Sequence, residues 1–370
     1  MRNESPVNTN ETFLAELKKR RDRTYDYIYQ HRDRECFRPQ HIFDAVDSYL
    51  TIGGKGLRPA LMMLCCGAVG GDETAVLPAA AAIEIFHTWT LMHDDVIDRD
   101  LTRRSGLTAH ENFRRQALQT WGLPPEEALH YGVSVAILAG DVLQGWVNSL
   151  LCDVYYESQI DPAITLFLIK ELESNITTAL VAGQMLDVQF TNVPLRQRVQ
   201  QLTEQDIINM LRQKTAVLYG YAARAGATIG LQQTEHPYIP ALVEFAELCG
   251  IGFQLQDDLL GIVADEQKLG KPVGSDIREG KLTMIVHHAI QQASEKQAQQ
   301  LRETLGNAGA KPDQIEAVKQ IFHDTGSLAY VKQRAQMYVK QGLDRLQTLP
   351  DSEPKAILSM WADYMIQRDF

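Results

Sequence analysis

Residues 79–98 read AAAAIEIFHTWTLMHDDVID. Apolar side chains fill the stretch as far as Met92, too long a run for a strand, and three carboxylates then fall within five positions. On a helix turning about 100° per residue, Asp94 and Asp98 stand one turn apart on one face with Asp95 beside them. Such a pair can be no more than a solvated helix end. Two arguments weigh against that here. Acid at a helix C-terminus meets the negative end of the dipole, and like charges this close repel unless a cation sits between them.

The pattern returns near residue 257. Phe253-Gln254-Leu255-Gln256-Asp257-Asp258-Leu259-Leu260-Gly261 closes a second long apolar segment on a second aspartate pair. Between and around the two, apolar residues recur at three-to-four spacing and strand signals are scarce. The spacing predicts helices over 11–34, 41–50, 57–69, 74–98, 108–120, 125–155, 162–190, 203–230, 240–263, 282–305, 312–323, 327–346 and 354–367. Thr203 with Asp206 three residues on marks one start, and Gly230 marks one end. The longer loops fall at 53–56, 101–107 and 266–280. No linker composition divides the 370 residues, so the expected architecture is all-α, one large helical bundle over 1–370. Within it, 1–35 is an N-terminal helical extension, about 40–290 the motif-bearing core, and 291–370 the C-terminal helices.

Charge and composition remove several function classes. With 36 Lys+Arg against 47 Asp+Glu the net charge is −11, the wrong sign for a nucleic-acid surface. The best candidate for a membrane span, 79–91, is short and carries Glu84 and His87, and the first thirty residues lack the apolar core of a secretory signal. A cytoplasmic protein is the expectation. Five cysteines, odd in number and without a C-x-x-C pair, suggest reduced packing residues.

Two carboxylate clusters without His or Cys ligands point to Mg²⁺, which uses one or two carboxylates and completes its shell with water and substrate phosphates. Basic residues for those phosphates occupy the three loops. Lys55 and Arg58 stand at a helix start, where free N–H groups and the dipole also favour anions. Arg103 and Arg104 follow the first aspartate motif, and Lys271 and Lys281 lie in a glycine-containing stretch after the second.

In this order and spacing the motifs resemble the trans-isoprenyl diphosphate synthases, or polyprenyl synthetases. The matching pieces are Gly53–Pro59, Glu84 to Arg104 with His87, Gly140-Asp141, Gly183-Gln184-x-x-Asp187, Lys214-Thr215, Phe253 to Asp258, and Gly270-Lys271 through Lys281. The resemblance implies a helical bundle with a central substrate cavity and both aspartate motifs at its mouth. Asp94, Asp98 and Asp257 would hold three Mg²⁺ ions on an allylic diphosphate, with Asp95 and Asp258 in the same catalytic clusters. Arg103, Lys214, Lys271 and Lys281 would grip that diphosphate. Lys55, Arg58, His87 and Arg104 would hold isopentenyl diphosphate, and Thr215 and Gln254 would turn oxygen dipoles toward the allylic cation. A homodimer is implied as well.

The chain departs from the family pattern at Gly261, where a third aspartate is usual, and at Ser105-Gly106-Leu107-Thr108 after the arginines. Trp89, five residues before Asp94 and about 7.5 Å along the axis, takes the position that limits product length in the family, with Phe86 one turn deeper and small Thr90 beside it. The expected reaction is condensation of isopentenyl diphosphate with dimethylallyl, geranyl or farnesyl diphosphate to farnesyl or geranylgeranyl diphosphate. Similarity of 274–281 to geranylgeranyl-type enzymes favours C20. The alternatives are a class I terpene cyclase on the same fold and a non-catalytic partner subunit of a prenyltransferase.

Overall fold

The computed structural model describes residues 9–104, 106–192, 202–263 and 275–367. Nearly all of them are helical, as the periodicity predicts. The chain divides into two compact units. Unit 1 comprises Met1–Ile169, Ala222–His236 and Asp351–Leu358; unit 2 comprises Lys170–Tyr221, Pro237–Pro350 and Ser359–Phe370.

Unit 1 opens with α1 (Thr9–Gln30), which ends before a short 3₁₀ turn (Arg32–Cys36) in place of the single helix expected to residue 34. Then come α2 (Gln40–Ile52), α3 (Leu57–Ala68) and α4 (Leu77–Ile97). From Pro78 to Phe86 every side chain of α4 is buried, so this helix forms the spine of the unit. A two-stranded ribbon follows, β1 (Thr102–Arg103) against β2 (Gly106–Leu107), antiparallel with Arg103 opposite Gly106. The loop expected over 101–107 is thus a hairpin. Next are α5 (Ala109–Trp121), α6 (Pro125–Tyr156) and α7 (Pro162–Lys170). Both α4 and α5 pack along α6.

The elements of unit 2 begin with a π-helical turn (Glu171–Ile176) that leads into α8 (Thr177–Asn192). Thr203 caps α9 (Glu204–Leu211) in a reciprocal box with Asp206, as its spacing predicts. A second π-turn (Arg212–Ala216) joins α9 to α10 (Val217–Leu231), whose residues from Ala222 onward belong to unit 1. Then follow α11 (Tyr238–Val263) and the short α12 (Ser275–Glu279), which lies where a loop is expected. The single helix expected over 282–305 is two, α13 (Met284–Gln292) and α14 (Glu295–Thr304). Ser294 and Gln297 form a capping box there, so the backbone finds hydrogen-bond partners for a fresh start and the helix breaks. The last helices are α15 (Pro312–Asp324), α16 (Ser327–Leu346) and α17 (Glu353–Gln367), the last belonging to unit 1 as far as Leu358 and to unit 2 from Ser359. The core of unit 2 gathers Ile207, Leu255, Ile285, Phe322 and Val331, with α11 lying along α16.

By length and composition alone α6 and α11 could each cross a membrane, although half of each apolar window is buried inside the protein, as in core helices.

Candidate active site

In unit 1 the first aspartate motif closes α4, and its three carboxylates have different surroundings. Asp95 is fully buried. It accepts a hydrogen bond from the Tyr49 hydroxyl, and Arg103 Nε stands 2.7 and 2.9 Å from its two oxygens, with Arg103 Nη2 against the same group. Burial pushes the Asp95 carboxyl up, while Arg103 and Tyr49 pull it back. Burial also opposes the Arg103 charge, but Asp95 and Asp94 outweigh it and hold the guanidinium protonated. Asp94 and the helix-ending Asp98 are only half-buried.

Asp94 and Asp98 offer oxygen donors alone. The neighbouring His93 ring occupies the space above Gly140, where a Cβ would stand 2.0 Å from Nε2, and that nitrogen lies 3.3 Å from the Ile137 carbonyl. A pair of half-buried carboxylates with the imidazole packed against α6 suits Mg²⁺ and its phosphate-completed shell. Among the described residues no three His, Cys, Asp or Glu side chains gather into a metal cage made of protein alone.

Two turns back along α4, a pocket is lined by Tyr25, Tyr49, Ile52, Glu84, His87, Thr88, Leu91, Arg103, Arg104 and Leu107. Of the four residues expected on isopentenyl diphosphate, His87 and Arg104 line this pocket, whereas exposed Lys55 and half-buried Arg58 flank the start of α3. Arg103, expected on the allylic diphosphate, lines the same pocket while bound to Asp95. Burial holds the His87 imidazole well below its ordinary 6.5, and the charges of Arg58, Arg104 and Arg103 act in the same direction. His87 is therefore neutral among cations, a hydrogen-bonding group beside the charges that an anion would meet.

The consequence for stability has a definite sign. An unfolded chain takes up a proton at His87 as pH falls through 6.5, and the folded one resists, so this contribution is complete above 6.5 and is lost below it. Between pH 7.5 and 5.5, wild type should lose up to about 1 kcal/mol more than His87→Gln in denaturant unfolding. Equal losses would mean that folding leaves His87 unperturbed.

Further along α4, the Trp89 ring meets Phe86 edge-on at 5.0 Å and His93 at 5.8 Å. Phe86 is fully buried, Trp89 is half-buried, and the Thr90 hydroxyl donates to the His87 carbonyl at 2.8 Å.

Unit 2 carries the second cluster. The π-turn Arg212–Ala216 widens the backbone and presents Lys214 and Thr215. Gly183 on α8 is the reason this turn can come so close: a Cβ there would stand 2.3 Å from the Lys214 backbone nitrogen. One helical turn later Asp187 accepts from Lys214 Nζ at 2.6 Å. The Gly-Gln-x-x-Asp spacing thus reads as a notch for the turn and an anchor for its lysine. Thr215 Oγ1 donates to Gln254 Oε1 at 2.9 Å, and Gln254 Nε2 donates to Asp258 Oδ1 at 3.1 Å. Because the Thr215 proton is spent on Gln254, the oxygen lone pairs of Thr215 remain as its outward dipole. Burial pushes the Asp258 carboxyl up to about 8; Gln254 opposes this, and Asp276, Asp257 and Asp187 add to it.

Gly261 leaves room at the position of the family's third aspartate, and Asp276 of α12 fills it. Its Oδ2 lies 3.1 Å from where a Cβ at 261 would be. Lys281 Nζ stands 3.3 Å from Glu279 and 3.9 Å from Asp276. Lys271 lies outside the described residues. Tyr25, Tyr49, Glu84 and Asp276 belong to these two clusters and have no role assigned from sequence: the tyrosines lie outside the matching motifs, and Glu84 and Asp276, although inside them, show their partners only in the fold.

The sequence profile of the family described as Polyprenyl synthetase matches residues 39–323. The geranylgeranyl diphosphate synthase of Methanosarcina mazei is 36% identical over 335 residues, covering 90% of this chain and 91% of that protein. Among solved structures, a geranylgeranyl pyrophosphate synthetase from Pyrococcus horikoshii matches with TM-score 0.80 at 30% identity, over 98% of this chain and 100% of that one. A geranylgeranyl pyrophosphate synthase from Corynebacterium glutamicum, complexed with isoprenyl diphosphate and magnesium, matches with TM-score 0.81 at 28% identity, over 97% and 99%. Motifs, helical fold and a family match over most of its length agree, and the chain belongs to the polyprenyl synthetase family.

Proposed function

We propose that this chain, a trans-prenyltransferase, condenses isopentenyl diphosphate with an allylic diphosphate and makes geranylgeranyl diphosphate as its main product. One observation carries the reading. Helix α4 bears both a pair of half-buried carboxylates at its end and, two turns back, a pocket lined by His87, Arg103 and Arg104. A cyclase acting on one diphosphate has use for the first and none for the second. A non-catalytic subunit needs neither.

Asp94 and Asp98, and Asp257 of the second cluster, would hold Mg²⁺, three ions in all. Bound there, Mg²⁺ supplies Lewis acidity to the leaving diphosphate. The allylic C–O bond breaks and its electron pair leaves with the diphosphate, whose charge Lys214, Lys271 and Lys281 offset. Thr215, with its proton committed to Gln254, turns an oxygen toward the resulting cation. The alkene of isopentenyl diphosphate, held by Lys55, Arg58, His87 and Arg104, attacks the cation to form the new C–C bond. The proton then lost from the adjacent carbon passes to the departed diphosphate. Proximity does most of the work, and no side-chain nucleophile is required.

The test supplies labelled isopentenyl diphosphate with Mg²⁺ and dimethylallyl or farnesyl diphosphate. Label should enter an extractable, acid-labile product, and EDTA should abolish incorporation. No incorporation by purified protein would overturn the reading. A hydrocarbon formed from geranylgeranyl diphosphate alone would favour the cyclase.

The chain would act as a homodimer. Leu129, Ile137, Leu138, Tyr155 and Tyr156 of α6 are exposed, and a second copy would cover apolar surface of this kind. Light scattering at micromolar concentration should give twice the chain mass.

A further inference from the structure

Helix α1 precedes the part of the chain that matches the family, which begins at residue 39. It nonetheless reaches the cationic pocket. Arg21, Tyr25 and Tyr29 are spaced four residues apart and share one face of α1. The aliphatic stem of Arg21 lies against Gly56, where a Cβ would come within 2.7 Å of Cγ and 2.9 Å of Cβ. Gly56 has φ of 62° and begins α3, so the arginine packs on the backbone that follows Lys55.

One turn later the Tyr25 hydroxyl donates to Glu84 Oε1 at 2.8 Å. Glu84 is 4% exposed and lies one turn before His87 on α4. Three polar groups converge over Gly54. A Cβ there would stand 2.9 Å from Glu84 Oε1, 3.2 Å from Arg104 Nη1 and 3.3 Å from the Tyr25 oxygen. The Gly54 backbone thus passes close beneath the same hydroxyl. Arg104 itself sits in the hairpin with φ of 50°, a conformation costly for a residue with a side chain.

We infer that Tyr25 is a positioning residue for the isopentenyl diphosphate site: through Glu84 and the Gly54 backbone it fixes the Lys55 loop and the Arg104 guanidinium, making α1 the back wall of that pocket. The inference rests on the prenyltransferase reading. It requires no contact between Tyr25 and substrate. What Tyr25 supplies is one hydroxyl that sees the glycine loop and α4 at once.

Tyr29 provides an internal control. Its hydroxyl also ties α1 to the rest of unit 1, donating to the Leu50 carbonyl at 2.9 Å, but it lies outside the pocket. Tyr25→Phe and Tyr29→Phe each remove one hydroxyl and keep the ring, so a general loosening of α1 should be common to both. Tyr25→Phe should raise the KM for isopentenyl diphosphate about fivefold, the equivalent of one hydrogen bond, and leave kcat and the allylic KM within about twofold. Calorimetric binding of isopentenyl diphosphate without allylic substrate should weaken by the same factor. Tyr29→Phe should leave both constants as in wild type, with the thermal midpoints of the two variants shifted alike. An unchanged isopentenyl diphosphate KM in Tyr25→Phe, an equal rise in both variants, or an equal rise in the allylic KM would overturn the inference. Wild-type turnover separates the two failures: an inactive wild type counts against the prenyltransferase reading, and an active one with indifferent Tyr25→Phe counts against the wall.

Discussion

Asp95→Ala should destabilise the metal-free protein by about 3–5 kcal/mol, while Asp94→Ala, one residue away, should leave unfolding almost unchanged and lower kcat by about a thousandfold. The difference follows from burial. Asp95 is fully buried and carries the Arg103 guanidinium and the Tyr49 hydroxyl. Removing it leaves Arg103, 18% exposed in its side chain, with its main counter-charge gone, and a buried cation without its partner is expensive. Asp94 is half-buried, and Arg103 Nη2 stands 3.8 Å from it. Its loss costs little in folding and removes a proposed Mg²⁺ oxygen. Denaturant unfolding at fixed pH and steady-state kinetics on the same two preparations read both quantities. If Asp95→Ala unfolds like wild type, the middle aspartate is not a structural keystone; if Asp94→Ala retains full kcat, it is not a metal ligand.

Trp89→Ala should lengthen the product by at least one five-carbon unit with turnover retained. Trp89 lies about 7.5 Å and Phe86 about 12 Å along the α4 axis before Asp94. The indole is held edge-on between Phe86 and His93, a stack of rings that cannot yield by changing rotamer without losing contact on both sides. Truncating it opens the space above Phe86, and a growing chain would then stop at that deeper ring. Phe86 is fully buried, so Trp89→Ala/Phe86→Ala should lengthen the product further and also cost about 3–5 kcal/mol of stability. Chain-length analysis by mass spectrometry decides. An unchanged product from Trp89→Ala would put the floor elsewhere.

Helices were largely legible because their signals are local. The expected 327–346 and 125–155 are α16 and α6 to within a residue, since Pro125 opens one and periodic apolar residues run through both. The break between α13 and α14 was equally local in origin, yet the Ser294–Gln297 box lies in a polar stretch where periodicity is weak and a continuing helix reads just as well. The hairpin at 102–107 contains only two residues per strand, too few for an alternation to be seen.

The functional residues divide along the same line. Identity and spacing alone determined that carboxylate pairs lie late in α4 and α11, that basic residues follow each, and that Trp89 lies below the first: these are properties of the order of residues on one helix, and a helix maps order onto a face. Only the tertiary structure decided what each charge is for. It buried Asp95 under Arg103 and left Asp94 and Asp98 accessible, brought Asp276 into the room at Gly261, pinned Lys214 to Asp187 through the notch at Gly183, and set Tyr25 of α1 over Gly54. Those outcomes depend on partners 8 to 59 residues away, Arg103 for Asp95 and Glu84 for Tyr25, and on how much water reaches each pair. Burial sets the strength of a charge's interactions, and burial is a property of packing that a single residue's position in the chain does not contain.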